Sequence, residues 1–474
     1  MSTKVYDAIV LGGGPGGYVA AIRLGQLKQK TLVIEKDTMG GVCLNWGCIP
    51  SKALIAAANL VEKVKHADVM GITVTGVAVD SKKLQGWKNG IVKKLTGGVN
   101  TLCKANGAEV LMGEARFVSS DTLEVTTPEG KVLVQATKGI IVATGSRPVA
   151  IPGFEYDGKS IITAKEGVSL DPLPKRLTII GGGIIGMELG GVYSKLGVEV
   201  TIVEFMPSVL ATMDADLVVP VVKAMTKSGV KFITGTKAKS AVKQADGSLL
   251  VTLETPEGEQ KVAADVCLVA VGMKPNSDAI SIEKSGVILD KRGHLVIDEE
   301  CRTNVKKVYA IGDVAGAPYL AHKASKEGEI AAEVIAGHKS ARDWRAMPAA
   351  TFTHPEIANV GLSEREAREK GLDIVVGKFP FAASGRAMAV SETDGFVKVI
   401  AERVGKDKKD HKIIGVHIVG PEASDLISEA ALALEMDAYV EDMALTVHPH
   451  PTLSETMMEA AKHAIGEAVH IMNR

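Results

Sequence analysis

The stretch VYDAIVLGGGPGG, residues 5–17, carries the strongest fold signal in the sequence. Its apolar run is typical of a strand buried in a parallel sheet, and it ends in the spacing Gly12-x-Gly14-x-x-Gly17. A helix-like segment and a second apolar strand, ending at Glu35, follow. In such a unit the glycines let the backbone approach a pyrophosphate, and the acidic residue can accept a hydrogen bond from a ribose hydroxyl. The stretch therefore predicts a dinucleotide-binding unit.

The same pattern occurs a second time, from RLTIIGGGIIG to the strand that ends at Glu204. Its glycines have the spacing Gly181-x-Gly183-x-x-Gly186. The number of residues from the first glycine to the glutamate is the same in both units. One unit is weak evidence, whereas two units with matched spacing indicate two dinucleotide-binding domains.

The second unit also indicates which nicotinamide cofactor it binds. The carboxylate of Glu204 suits a free 2′-hydroxyl and would repel a 2′-phosphate. The residues that follow it, FMPSVLA, contain no arginine or lysine to hold such a phosphate. NAD is therefore favoured over NADP, and the two units together predict an electron relay between a flavin dinucleotide and a nicotinamide dinucleotide.

The rest of the chain completes the predicted architecture. Apolar strands ending in small residues recur at GIIVATGSRP, VCLVAVGMKPN and KVYAIGDV, and after Pro348 the runs FVKVI and KIIGVHIVG are typical of antiparallel strands. We predict an α/β fold with two Rossmann-like dinucleotide-binding domains, for FAD and NAD, plus a C-terminal α+β dimerisation domain. The predicted domains are 1–147 for FAD binding, 148–276 for NAD binding, 277–347 completing the FAD domain, and 348–474 for dimerisation.

The composition excludes several classes of protein. The 474 residues carry a net charge of −1, which gives no electrostatic footprint for nucleic acid or an anionic membrane. No apolar run approaches the length of a membrane span. Asp7 lies where a signal peptide would have its apolar region, and five cysteines in a chain of this size favour a reducing compartment. We expect a cytoplasmic protein, or a mitochondrial matrix protein if a transit peptide has been removed.

The segment CLNWGC, from Cys43 to Cys48, could be a zinc half-site, an inert pair or a redox couple. Residues five apart on an ideal helix have Cα atoms roughly 8–9 Å apart, whereas a disulfide needs about 4.4–6.8 Å. If the two cysteines bond, the segment is therefore not regular helix, and Gly47 and Pro50 fit a distorted entry into the helix that follows. Zinc needs a second pair of ligands, and the other cysteines stand alone. A redox couple near a flavin is favoured, and no metal is predicted.

The segment GGVCLNWGCIPSKAL resembles the active-site segment of the flavin-dependent pyridine nucleotide–disulfide oxidoreductases. The motifs GGGPGG, ATGSRP, GGGIIGME, AIGDV and HPHPTLSE occur in the order found in that family, so the resemblance covers the whole chain. Only Trp46 departs from the small apolar residue expected between the cysteines. The resemblance implies FAD and NAD as cofactors and a homodimer in which each active site is built from both subunits.

The resemblance also implies a role for each matching residue. Cys43 would exchange with the substrate, and Cys48 would face the flavin. Lys52 would lie near the flavin and pair with Glu188, and Asp313 would bind the ribityl chain of FAD. The remaining residues that would line the cofactors through their backbone are Ala115, Thr144, Gly145 and Ala321 at FAD and Gly272 at NAD.

An acid–base group is also required, because a dithiol must lose protons to be oxidised. A neutral histidine suits this task near pH 7, and VHPHPTLSE supplies His448 and His450. By resemblance His450 is the base, oriented by Glu455, and reaches the cysteines of the other subunit. The spacing Thr452-x-x-Glu455 also predicts a capping box, and the two roles would compete for one carboxylate. His448 is predicted to be supporting or structural.

The resemblance is greatest to the family members that oxidise dihydrolipoyl groups. It implies reoxidation of protein-bound dihydrolipoyl groups with reduction of NAD⁺. The implied partners are the lipoyl domains and acyltransferase core of 2-oxoacid dehydrogenase complexes, or the lipoyl protein of glycine cleavage. Three alternatives are disfavoured. Glu204 argues against glutathione reductase, and the C-terminal EAVHIMNR lacks the cysteine pair of a mercuric reductase. The intact cysteines and His450 argue against a nucleotide-binding subunit without turnover.

Overall fold

The computed structural model describes residues 3–473, and the predicted domain limits at residues 1 and 474 lie outside the described residues. The first glycine-rich unit belongs to a seven-stranded sheet in which six strands have the order β3-β2-β1-β6-β5-β4 and the seventh, β17 (Val308–Ala310), pairs with β6. The elements of this part are β1 (Lys4–Leu11), α1 (Pro15–Gln26), β2 (Thr31–Glu35), α2 (Gly41–Asn45), α3 (Cys48–Lys65), α4 (Ser81–Ala105), β3 (Ala108–Met112), β4 (Glu114–Phe117), β5 (Thr122–Thr127), β6 (Gly130–Val142) and β7 (Ser146–Pro148). β1 lies between β2 and β6 and is parallel to both, so the first glycine turn leaves the centre of the sheet.

The second glycine-rich unit forms a five-stranded parallel sheet with the order β11-β10-β9-β15-β8. A three-stranded antiparallel sheet with the order β12-β13-β14 is attached to it. The elements of this part are β8 (Ile161–Ile162), α5 (Ala164–Gly167), β9 (Arg176–Ile180), α6 (Ile184–Lys195), β10 (Glu199–Val203), α7 (Ala215–Lys227), β11 (Lys231–Ile233), β12 (Lys237–Lys243), β13 (Leu249–Thr255), β14 (Gly258–Ala264), β15 (Val266–Val269) and β16 (Met273–Pro275). The strand–turn–helix–strand order predicted for each glycine-rich unit is confirmed.

The chain crosses between the two sheets on a two-stranded antiparallel ribbon formed by β7 and β16. It then returns to the first sheet, where β17 (Val308–Ala310) pairs with β6 and α8 (Ala321–Ile335) packs on α1. A Cβ on Gly328 would lie 2.5 Å from the carbonyl oxygen of Gly16, so the close approach of α1 and α8 requires glycine there.

The C-terminal part is a five-stranded antiparallel sheet with the order β18-β19-β22-β21-β20. Its elements are β18 (Ala349–Thr351), β19 (Glu356–Gly361), α9 (Glu364–Glu369), β20 (Ile374–Pro380), α10 (Gly385–Ala389), β21 (Phe396–Val404), β22 (Asp410–Gly420), α11 (Ala423–Glu435), α12 (Val440–Leu445) and α13 (Glu455–Ala464). Single 3₁₀ turns lie at Ala67–Met70, Ile282–Ser285, Gly312–Ala315 and Phe381–Ala383. The predicted antiparallel strands are β21 and β22, joined by a lysine-rich hairpin loop.

One apolar cluster joins all three parts of the molecule. It contains Leu54 and Ile55 from α3, most of the core of the second sheet, and Ile357 and Val419 from the C-terminal sheet. The helix that carries the second cysteine is therefore fixed against both of the other parts. Among the described residues, no helix is both long enough and apolar enough to cross a membrane.

Candidate active site

A cavity of about 1780 Å³ opens between the two parallel sheets and the cysteine segment. Most of the predicted site residues lie on its wall: Gly12, Gly14, Glu35, Cys43, Cys48, Lys52, Ala115, Thr144, Gly145, Gly181, Gly183, Glu188, Glu204, Gly272, Asp313 and Ala321. Gly17 and Gly186 lie behind the wall, and His450 and Glu455 are not part of it. Both glycine turns and both cysteines thus face one enclosed space.

The two glycine turns have the same geometry, and each leaves an open cradle. Gly12 and Gly181 have φ of 108° and 109°, a backbone conformation that favours glycine. A Cβ on Gly17 would lie 1.8 Å from the Gly12 carbonyl oxygen, so this glycine lets α1 pack on the strand. Gly14 and Gly183 differ, because a Cβ there would meet no atom closer than 3.9 Å. The space it would fill belongs to the cavity.

The N-termini of α1 and α6, at the two glycine turns, are suited to bind an anion. α1 begins after Gly14 and α6 begins after Gly183, and neither N-terminus has a side-chain cap or an acidic residue in its first turn. The free backbone N–H groups and the positive end of the helix dipole remain available for a phosphate. The residues present therefore fit the pyrophosphate groups of two dinucleotides.

The two acidic residues that end β2 and follow β10 are held in equivalent positions by backbone amides. Glu35 accepts hydrogen bonds from the amides of Gly13 at 2.7 Å and Asp37 at 2.8 Å. Glu204 accepts them from Gly182 at 2.6 Å and Met206 at 2.7 Å. Each carboxylate keeps lone pairs for the hydroxyl groups of a ribose. The glutamates are thus fixed in place before a ligand arrives.

The structure adds a basic residue beside Glu204 that sequence reasoning missed. The amide of Thr236 donates to the Glu204 carbonyl oxygen at 3.0 Å, which brings the start of β12 against this strand end. Lys237 follows, lines the cavity and has no ion-pair partner in the described part of the chain. The residues that follow Glu204 contain no lysine or arginine, whereas Lys237 comes from a separate strand, β12.

The cysteine segment breaks between two helices, as expected if the cysteines are to meet. α2 ends at Asn45, Trp46 and Gly47 have non-helical backbone, and α3 begins at Cys48. Both cysteines are free, and Cys43 is in hydrogen-bonding contact with Cys48. Trp46 lines the cavity and packs against the apolar cluster that joins the three parts. Its packing explains how an indole is accommodated between the two thiols.

The electrostatic surroundings assign different protonation states to the two thiols. The hydrogen bond donated by Cys43, together with the nearby ammonium group of Lys52, lowers the pKa of Cys48 to about 7, against the opposing effect of burial. The hydrogen bond to Cys48 and burial raise the pKa of Cys43. The first thiolate of the pair is therefore on Cys48, with the remaining proton on Cys43.

Lys52 is held by an ion pair across the domain boundary. Its Nζ lies 2.8 Å from Glu188 Oε2 and 4.4 Å from the centre of the Phe352 ring. Glu188 is 5% exposed, and its other oxygen accepts a hydrogen bond from the Phe352 amide at 2.8 Å. The buried carboxylate is thus fully paired, and it fixes one positive charge close to the thiols.

Asp313 lies on the opposite wall, in the 3₁₀ turn that follows β17. Ser146 Oγ donates to Asp313 Oδ2 at 2.5 Å. Burial raises the pKa of Asp313, although the hydrogen bond from Ser146 and the charge of Lys323 oppose the shift. The carboxyl group is therefore poised to accept hydrogen bonds from a polyhydroxylated ligand.

The predicted acid–base pair is formed, but on the outside of the single chain. His450 Nδ1 lies 3.0 Å from Glu455 Oε1, and the His450 side chain is 81% exposed. His448 is held between Glu429 at 2.8 Å and the Thr446 carbonyl oxygen at 2.9 Å, which agrees with a structural role.

The capping-box prediction for Glu455 was wrong in two respects. α13 begins at Glu455 itself with Ser454 at its N-cap, so Thr452 is not the cap. The expected competition for the carboxylate is also absent, because Oε2 accepts the Thr452 amide at 2.9 Å while Oε1 contacts His450. The two oxygens divide the two contacts, and the backbone amide fixes the carboxylate that orients the imidazole.

Comparison with known proteins identifies the family. Residues 6–328 match the pyridine nucleotide-disulphide oxidoreductase family, and residues 347–461 match its dimerisation domain. The chain belongs to this family. The dimerisation domain corresponds to the antiparallel sheet from β18 to β22 and supports a homodimer.

Relatives within the pyridine nucleotide-disulphide oxidoreductase family align over the full chain. Dihydrolipoyl dehydrogenase of Geobacillus stearothermophilus is 46% identical, with 99% of this chain and 98% of that protein covered. Dihydrolipoyl dehydrogenase of Bacillus subtilis is 47% identical, with 98% of both covered. Among solved structures, LpdA from Mycobacterium tuberculosis is 28% identical, with 97% of this chain and 99% of that chain covered and a TM-score of 0.88.

Membership of the pyridine nucleotide-disulphide oxidoreductase family confirms the predicted α/β fold with its C-terminal dimerisation domain. It also confirms that the protein is a flavoprotein disulfide oxidoreductase that uses FAD and NAD. The two glycine cradles with their backbone-held glutamates agree with these two dinucleotides.

The assignment of the thiolate to Cys48 gives a direct prediction for the dithiol form of the apoprotein. Thiolate absorbance near 240 nm should rise with a midpoint at about pH 7 from Cys48. The three remaining cysteines do not contribute to this rise, because burial raises the pKa of Cys103, Cys267 and Cys301. In Cys43→Ala the midpoint should rise by about one to two pH units, because a hydrogen bond to a charged group is lost. An unchanged midpoint in this variant would contradict the assignment.

Proposed function

We propose that the protein oxidises protein-bound dihydrolipoyl groups to the disulfide and reduces NAD⁺. The observation that carries the proposal is that Cys43, Cys48 and both dinucleotide cradles open into one cavity. The relatives that align over the full chain, named dihydrolipoyl dehydrogenase, support this substrate. The finer site assignments below are part of the same proposal.

The chain's own residues divide the work of binding. Gly12, Gly14 and Glu35 hold the FAD nucleotide, and Asp313 holds its ribityl chain with the backbones of Ala115, Thr144, Gly145 and Ala321 beside it. Gly181, Gly183, Glu204 and Gly272 hold NAD, while Gly17 and Gly186 set the helix positions. Bound FAD supplies a two-electron acceptor between the dithiol and NAD⁺.

The thiols and Lys52 handle the charge. In the proposed reaction a substrate thiolate attacks the Cys43 sulfur of the Cys43–Cys48 disulfide, and Cys48 leaves as the stabilised thiolate that would face the flavin. The second substrate sulfur then displaces Cys43 as the lipoyl disulfide closes. The ammonium group of Lys52, fixed by Glu188, favours negative charge on Cys48 and would do the same for a flavin bound nearby. One buried ion pair thus serves both the dithiol and the cofactor.

The proton acceptor comes from the other subunit in this proposal. His450 is exposed and lies outside the cavity of its own chain, which fits a pair that completes the site of a second copy. Glu455 accepts a hydrogen bond from His450 Nδ1–H and leaves Nε2 free to take a proton from the substrate dithiol. The homodimer is then the catalytic unit.

The proposed partners are lipoyl domains and the acyltransferase core of a 2-oxoacid dehydrogenase complex, or the lipoyl protein of glycine cleavage. The proposed compartment is the cytoplasm, where thiols remain reduced.

A steady-state assay tests the proposed function. The purified holoenzyme should reduce NAD⁺ with dihydrolipoamide, and it should turn over NADP⁺ much more slowly. Reduction of oxidised glutathione by NADPH, the reaction of another disulfide reductase, is the negative control and should give no turnover. Faster oxidation of NADPH by glutathione disulfide than reduction of NAD⁺ by dihydrolipoamide would overturn the proposal.

The geometry at Glu204 predicts how coenzyme choice can be changed. In Glu204→Gln the repulsion of a 2′-phosphate is removed while Lys237 remains nearby, so kcat/KM for NADP⁺ should rise about tenfold. The double variant Glu204→Gln with Lys237→Ala is the control and should lose most of that gain. Equal kcat/KM values for NADP⁺ in the two variants would show that Lys237 does not act on the phosphate.

A further inference from the structure

A hydrogen-bonded chain of three side chains runs from the surface to the cavity wall, and the roles assigned above do not include it. His294 Nδ1 lies 2.9 Å from Asp290 Oδ2, and His294 Nε2 lies 2.6 Å from the hydroxyl oxygen of Tyr319. The His294 side chain is 7% exposed, whereas Asp290 is at the surface and Tyr319 lines the cavity. The chain therefore connects a surface carboxylate to a phenol beside the flavin site.

A tight turn fixes the outer end of this chain. Asp290 Oδ1 accepts hydrogen bonds from the amides of Arg292 and His294, both at 2.8 Å, and leaves Oδ2 for the imidazole. Ser277 Oγ donates to the Gly293 carbonyl oxygen at 2.6 Å and anchors the turn from outside. The turn from Asp290 to His294, anchored by Ser277, thus sets the position of the imidazole.

The protonation states follow from the partners. Burial disfavours the charge on Asp290, but the hydrogen bonds from the His294 ring and the turn amides lower its pKa to about 2. In the neutral imidazole with its proton on Nδ1, facing a carboxylate that only accepts, Nε2 accepts the hydroxyl hydrogen of Tyr319. Burial and the charge of Asp313 raise the pKa of Tyr319, which keeps the phenol protonated. Tyr319 therefore donates its hydroxyl hydrogen to His294, and the lone pairs of its hydroxyl oxygen remain free.

Tyr319 is placed where such an acceptor is useful. It directly precedes the N-terminus of α8, and its neighbours Leu320 and Ala321 also line the cavity. Tyr319 and Asp313, whose carboxyl group is assigned to the ribityl chain, line the same cavity. A phenol oxygen with free lone pairs and a carboxyl group on the wall of one cavity can both accept hydrogen bonds from the hydroxyl groups of one ligand.

We propose that Asp290, His294 and Tyr319 form a relay that presents the Tyr319 oxygen as an acceptor for a ribityl hydroxyl of FAD. Tyr319 contacts the cofactor, whereas His294 and Asp290 are positioning residues that act through it. The inference rests on the proposed placement of the ribityl chain at Asp313. No group is transferred, so the relay affects affinity and orientation and adds no chemical step.

The relay is tested by titrating the apoprotein with FAD and following flavin fluorescence. Tyr319→Phe should raise the Kd for FAD about three- to tenfold, the loss expected for one hydrogen bond, without changing the unfolding temperature of the apoprotein. Tyr309→Phe is the matched control, because Tyr309 lies ten residues earlier in β17, is buried and does not line the cavity. Its Kd should stay within twofold of the wild type. A Kd in Tyr319→Phe that also stays within twofold would overturn the proposal.

A double-variant cycle separates positioning through Tyr319 from a purely structural role. His294→Asn should raise the Kd for FAD by itself, yet it should add nothing in the Tyr319→Phe background. Effects that add fully would show that His294 acts independently of Tyr319. Asp290→Asn keeps an oxygen for the turn amides and serves as the second positioning variant if His294→Asn does not fold. These titrations need no dithiol substrate, so a wild type that binds FAD but leaves dihydrolipoamide unoxidised overturns only the proposed function.

Discussion

Replacing Cys43 by serine should lower the turnover of dihydrolipoamide at least about 10³-fold, because the disulfide sulfur that exchanges with the substrate is removed. The remaining site should stay intact. A serine hydroxyl can still donate a hydrogen bond to Cys48, and the ion pair of Lys52 with Glu188 does not involve Cys43. FAD should therefore remain bound, and electron transfer from NADH to ferricyanide should continue.

The two assays must be run on the same preparation of Cys43→Ser. Cys103→Ala is the matched control, since Cys103 is buried and does not line the cavity. It should keep both activities. Undiminished oxidation of dihydrolipoamide in Cys43→Ser would remove Cys43 from the proposed mechanism, while loss of both activities would indicate damage to the flavin site.

Replacing His450 by glutamine should slow the oxidation of dihydrolipoamide about 10²- to 10⁴-fold, the usual contribution of a general base. Reduction of ferricyanide by NADH requires no proton removal from a thiol and should stay within twofold of the wild type.

The chain offers a close control for the His450 experiment. His470 Nδ1 also lies 3.0 Å from a carboxylate, Glu459, and its side chain is 67% exposed. His470→Gln thus removes an exposed imidazole with the same kind of partner from the same region. It should leave dihydrolipoamide oxidation within twofold. Equal losses in His450→Gln and His470→Gln would count against a specific base at His450.

A mixed dimer would locate the proposed base. The heterodimer contains one Cys43→Ser subunit and one His450→Gln subunit. The cavity of the His450→Gln subunit keeps its own Cys43, and the other subunit still carries an intact His450. If the base acts across the interface, the mixed dimer should recover about half of the wild-type activity, whereas either homodimer recovers almost none. No recovery would place the base and the thiols of each site in the same subunit.

The parts of the site that are local in sequence could be predicted from it. The glycine turns, the strand ends at Glu35 and Glu204 and the break between Cys43 and Cys48 are each set by a few neighbouring residues. Their geometry follows from strand, turn and helix preferences that short motifs encode. The structure places all of these features around one cavity.

The parts that depend on distant strands could not be predicted in the same way. Lys237 lies near Glu204 because the amide of the preceding Thr236 bonds the Glu204 carbonyl oxygen, and nothing near Glu204 in sequence signals it. Tyr319 and His294 meet because the hairpin after Asp290 folds towards the start of α8. Both contacts of Glu455, with His450 and with the Thr452 amide, follow from the sequence, but the spacing does not show that each carboxylate oxygen takes one of them.

The pairing of β17 with β6 sets an order of events on the ribosome. The second half of β6 gains this partner only after residues 143–307 have been synthesised. The parallel sheet from β8 to β15 needs only residues 161–269, so its strands are complete earlier. A nascent chain thus carries a finished nicotinamide-side sheet next to a flavin-side sheet with one open, apolar edge. That edge is where a chaperone would be needed, and where premature release of the chain would lead to aggregation.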